Sequence, residues 1–94
     1  MDMQSFKASI QTNHLPENAS VYLKAMWHDA KGDWDNAHQL IQDLTDEKAS
    51  WIHAYLHRKE GDIGNADYWY RKARRQRPAL SLQEEWQELT EAFL

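Results

Sequence analysis

The stretch Gly32-Asp33-Trp34-Asp35-Asn36-Ala37 returns 29 residues later as Gly61-Asp62-Ile63-Gly64-Asn65-Ala66. Recurrence at this interval constrains the chain more than any bulk property. A unit of this length forms one helical hairpin, and such a hairpin cannot bury its apolar face without a neighbour. The likeness extends past the phrase. Trp34, Ala37, Leu40, Ile41 and Leu44 are answered at the same interval by Ile63, Ala66, Trp69, Tyr70 and Ala73. Both sets follow helical spacing, so two equivalent helices are expected, with Trp34 and Ile63 in like surroundings.

The rest of the chain fits between and around them. Pro16 suits the first turn of a helix from about residue 17 to 31, with Tyr22, Leu23, Met26, Trp27 and Ala30 on one face. Gly32 suits the left-handed position past a helix end, and Asp33 the cap of the next helix, over about 34–44. A third helix, about 48–60, carries Trp51, Ile52, Tyr55 and Leu56, and Gly61-Asp62 repeats the turn. The fourth helix spans about 63–76 and stops before Pro78. Ser81-Leu82-Gln83-Glu84 has the form of a capping box. It opens a last helix over about 82–93, with Leu82, Trp86, Leu89 and Phe93 inward and Glu84, Glu85, Glu88 and Glu91 outward. Met3, Phe6 and Ile10 are spaced like a short N-terminal helix. The fold class is therefore all-α and a single domain (1–94). Hairpin one covers about 17–44, hairpin two about 48–77, and the 82–93 helix caps the stack.

Five Trp, four Tyr and two Phe supply large apolar area to a small core. There is no Cys, which excludes disulfides and thiolate metal sites and points to a reducing compartment. No apolar run approaches a membrane span, and Met1-Asp2-Met3-Gln4 lacks the basic start and apolar core of a signal peptide. A cytoplasmic protein without a membrane segment is expected. The net charge of −4 is unevenly placed. An acidic segment ends near His57, a basic one runs from Arg58 to Arg77, and the final helix has four Glu and no Lys or Arg.

From Gly61 onward the chain resembles a tetratricopeptide repeat. Gly61, Asp62, Ala66, Tyr70, Ala73 and Pro78 stand at that family's places for the turn, the small residues of the second helix and the closing proline. Ala54 matches its small packing residue in the first helix. The first hairpin keeps Ala25, Gly32, Asp33, Ala37 and Ile41, then is cut short without its Pro. The longer stretch from Trp51 through His53, Tyr55, His57 and Arg58 to Asp62 is similar to a group of short bacterial helical proteins that carry no known activity. The resemblance implies a right-handed stack of hairpins that binds a protein or peptide, with no cofactor.

On that reading Asp29, Trp51, Tyr55, Arg58 and Lys59 form a contact set for a helix, an extended peptide or a second copy of the chain. The simpler reading places the aromatics among them in the core between hairpins. Arg71, Lys72, Arg74, Arg75 and Arg77 offer an alternative, an anion or nucleic-acid surface. The negative net charge and the needs of the core for Trp69, Tyr70 and Ala73 count against it. His53 and His57, four apart, share a helix face with Glu60 one turn on, a sparse metal-ligand pattern with no fourth donor. No metal is expected there, because a His before the Gly-Asp turn (His28, His57) is explained by the helix end. Catalysis has little support. There is no phosphate-binding loop or activated nucleophile, Ser50 and Ser81 lack a base, and Asp33 and Asp62 serve as caps.

Overall fold

Every helix of the chain begins where a short polar side chain can accept its free backbone N–H groups. The computed structural model describes all residues from Met1 to Leu94 and contains six α-helices and no strand. They are α1 (Met3–Gln11), α2 (Val21–Ala30), α3 (Trp34–Ile41), α4 (Glu47–Glu60), α5 (Ile63–Lys72) and α6 (Leu82–Phe93). Their caps are Asp2, Ser20, Asp33, Asp46, Asp62 and Ser81, each accepting from the N–H three residues on. At Ser81 the bond is reciprocated by Glu84, completing the capping box.

Several ends differ from the sequence expectation. Pro16 does not open α2; residues 17–18 form a turn, and Ser20 caps the helix at Val21. The helix α3 ends at Ile41 rather than near Leu44. The helix α5 ends at Lys72, well before Pro78, because Arg74 adopts a left-handed conformation (φ 60°) that no α-helix continues through. The proline therefore lies in a connecting loop and stops nothing.

The two Gly-Asp turns repeat in detail. Gly32 and Gly61 have φ of 79° and 90°. The N–H of Asp33 donates to the His28 carbonyl and that of Asp62 to the His57 carbonyl, both at 2.9 Å. Asp33 then accepts from Asn36 N–H and Asp62 from Asn65 N–H. Each turn folds a pair of helices together, α2 on α3 and α4 on α5, and α3 rests on α4 to join the pairs. Met26, Ala37, Ile41, Ile52, Ala54, Leu56, Ala66 and Tyr70 are buried between them.

Two expectations fail at the C-terminal end. Trp34 is half-buried and donates its indole N–H to the Leu56 carbonyl at 2.8 Å, crossing from the first pair to the second. Ile63, its counterpart, is 38% exposed. The position faces the following pair of helices, and after α5 there is none. The final helix does not supply one, because α6 packs against α2 and α4, the first helix of each pair. Ala30, expected to be inward, is exposed. The N-terminal α1 closes the other side: Phe6 packs with Leu23 and Trp27 against Trp86 and Phe93. No helix is long and apolar enough to cross a membrane.

Candidate functional site

The face shared by α2 and α4 is the place where a helix is bound, and the helix is α6. Its apolar stripe begins at Leu82 and continues through Trp86, Leu89 and Phe93. Residue 85 lies three past Leu82 and four before Leu89, so it shares that stripe. Glu85 is consequently buried (0% exposed), not on the outer side with Glu84 and Glu88. A buried carboxylate is tolerable only when its oxygens are satisfied. Oε1 accepts from Arg58 Nη1 (2.8 Å), and Oε2 accepts from Trp51 Nε1 (3.2 Å). The Tyr70 hydroxyl oxygen lies 2.8 and 2.7 Å from the two carboxylate oxygens and has one proton to donate between them. Arg58 also reaches the Leu80 carbonyl in the loop before α6.

A second buried carboxylate lies on α2. Asp29, 2% exposed, accepts from Tyr55 OH at 2.8 Å and from Lys59 Nζ at 2.9 Å. Tyr55 thus donates to one carboxylate and feels the other. Burial above all, then Asp29 and Glu85, pushes its phenol far above the usual tyrosine range, and Tyr70 is raised by burial and by Glu85.

The structure therefore brings Asp29, Trp51, Tyr55, Arg58 and Lys59 together beneath or beside α6. Trp51, Tyr55 and Asp29 are buried, Arg58 is mostly covered, and only Lys59 is exposed. A cleft of about 350 Å³ remains beside the start of α6, lined by Asp29, Tyr55 and Lys59 with Leu82 and Trp86. A larger cleft of about 530 Å³ lies between the chain ends around Pro16, Leu23 and Leu94, and none of these charged residues lines it.

The cations from Arg71 to Arg77 are all exposed, and Arg71, Arg75 and Arg77 line one shallow cleft with Asp67 and Tyr70, but most of them are paired within the chain. Arg74 pairs with Glu47 at the start of α4, Arg75 lies 4.0 Å from Glu88 of α6, and Arg77 pairs with Asp67 of α5. The Arg75 guanidinium also covers the Trp51 ring, 3.4 Å from its centre, and Lys72 lies over Tyr68 and Trp69. Arg71 alone of the five has no such partner.

On the opposite side of α4, His53 and His57 meet a third imidazole that the sequence did not single out. His38 of α3 places Nε2 3.1 Å from His53 Nε2. One nitrogen from each of the three rings lies within 4.8 Å of the others. Glu60 does not join this trio but holds His57 from behind, its carboxylate 2.6 Å from Nδ1. The rings are bracketed by indoles, Trp34 stacked on His38 at 4.7 Å and Trp69 on His53 at 3.9 Å. Burial lowers the basicity of His38, and with two neighbouring imidazoles it brings His53 down to about 4. His53 Nδ1 is buried without a hydrogen-bond partner. The signal for His38 was its place between Trp34 and Ile41, at i+4 and i−3 on the inward face of α3.

Comparison of the chain with protein-family models, with curated proteins and with solved structures finds no match in any of the three.

Proposed function

We propose that this chain is a non-enzymatic, tetratricopeptide-like interaction module whose α2–α4 face recognises an amphipathic helix, with α6 as the ligand held in cis. One observation carries the reading. The α6 helix is fixed by a buried acidic side chain met by a guanidinium, a phenol and an indole, and aromatic and leucine side chains flank it. That is the chemistry of a helix in a groove, with charged recognition at its centre. The partner is thus a protein or peptide helix with one acidic residue inside an apolar stripe. A second copy of this chain carries such a helix, and the loop 73–81 is the segment through which two copies would exchange it. A cytoplasmic setting belongs to the same proposal and rests on the absence of cysteine.

The alternative, nucleic-acid binding through Arg71, Lys72, Arg74, Arg75 and Arg77, is the weaker reading because four of these cations already have partners within the chain.

The test uses a labelled peptide of residues 79–94. Glu85→Ala in the protein leaves Arg58 without its carboxylate and loosens the resident helix. The folded variant, checked by circular dichroism, binds the native peptide at least about tenfold more tightly than the unaltered protein does. A peptide carrying the same substitution binds neither protein. Equal or absent binding of the native peptide to both proteins contradicts the proposal.

A further inference from the structure

We propose that His38, His53 and His57 form a binding site for one divalent transition-metal ion, with zinc as the representative ligand. The geometry is close to that of a ligated state. Two nitrogens bound to one tetrahedral zinc at about 2.0–2.1 Å lie about 3.3 Å apart. The Nε2 atoms of His38 and His53 are 3.1 Å apart already, joined by a hydrogen bond whose shared proton the ion replaces. The ring centres of the three pairs are 4.8, 4.8 and 5.3 Å apart, so the imidazoles converge from two helices rather than lying along one.

The surroundings fit as well. Metal-bound histidines commonly give their second nitrogen to a carboxylate, which fixes ring orientation and raises donor strength. Glu60 does this for His57 Nδ1, leaving Nε2 for the ion. That nitrogen now meets only the Asn65 amide at 3.3 Å, a long contact that an ion displaces. Stacking by Trp34 and Trp69 fixes the other two rings, so little freedom is lost on binding. His53 is 5% exposed, whereas His38 is only partly buried and gives the ion a route in from solvent. Three imidazoles with one open position suit zinc, and also copper, nickel and cobalt.

His38 belongs to the first helix pair and His53 and His57 to the second, so the ion ties the two hairpins together. It lies across α4 from the α6 face, which makes this site separate from the helix-binding one.

Titration calorimetry with zinc chloride, on tag-free protein at pH 7.5 after chelator treatment, tests the site. One ion binds per chain in the micromolar range or tighter, and saturating zinc raises Tm by about 5 °C or more. His38→Gln, which alters a partly buried residue at the edge of the cluster, weakens zinc binding at least about tenfold. Glu60→Gln weakens it about tenfold through His57 alone. His14→Gln, an exposed histidine outside the cluster, changes nothing. Copper quenches tryptophan emission in the unaltered protein and much less in His38→Gln. Absence of stoichiometric zinc, or binding that survives His38→Gln and His57→Gln unchanged, overturns the proposal and leaves the trio as an aromatic packing cluster.

Discussion

Glu85 decides more about this molecule than any other side chain. It has 1% side-chain exposure, and its partner Arg58 has 16%. Removing the carboxylate while leaving the guanidinium strands a charge in a place with little water. Glu85→Ala is expected to cost about 3–5 kcal/mol by chemical denaturation. Glu85→Gln, which keeps the acceptor, costs less. Tyr55 and Tyr70 make a second residue-scale prediction. Both phenols are held neutral by burial beside carboxylates, so above pH 10 the unfolded chain releases two protons that the folded one keeps. The unfolded state then binds fewer protons, and stability falls as pH rises, by about 1.4 kcal/mol per pH unit for each tyrosine. It is constant with respect to these groups below pH 9. Tyrosinate absorbance at 295 nm should show Tyr55 and Tyr70 ionising only with unfolding. None of this was visible in composition, because a glutamate among glutamates reads as solvated surface. The clue was positional: residue 85 falls on the Leu82–Leu89 stripe, and a stripe position overrides residue type when a cation and a phenol lie opposite.

At the scale of helices and turns the sequence was far more transparent. The Gly-Asp-x-x-Asn phrase specifies a left-handed glycine and a cap by local chemistry alone, and both turns formed the same backbone and cap bonds, differing in where the Asn side chain goes. Gly61→Ala is expected to destabilise the protein by about 1 kcal/mol through its φ of 90°, since no atom lies near an added Cβ. Gly64→Ala has the same free space but a helical backbone, and is expected to stabilise by about 0.5 kcal/mol. Opposite shifts in Tm from two chemically identical substitutions separate conformational strain from packing. Helix ends without such chemistry were not legible. Nothing near Ala73 marks a stop, and Arg74 takes the left-handed position that glycine holds elsewhere. Pro16 suits a first helical turn by its own chemistry, but the true cap is Ser20, four residues on.

For the whole molecule, repetition foretold two pairs of helices but not where the sixth helix would go. Equivalent positions have equivalent surroundings only where the next pair exists. Ile63 therefore lies open while Trp34 is pinned to Leu56. Placing α6 over α2 and α4 instead satisfies Trp86, whose indole N–H donates to the Met26 carbonyl at 3.1 Å. It also brings Phe93 within 5.3 Å of Tyr22 and 6.1 Å of Trp51, measured between ring centres. The most direct check is a two-dimensional nuclear Overhauser spectrum of the full chain. It should connect the rings of Phe93 with those of Tyr22 and Trp51, and the Phe6 ring with Trp86. Cross-peaks from Leu82 or Trp86 to Ile63 and Tyr68, without those to Trp51 and Tyr22, would place α6 at the end of the stack and contradict the account.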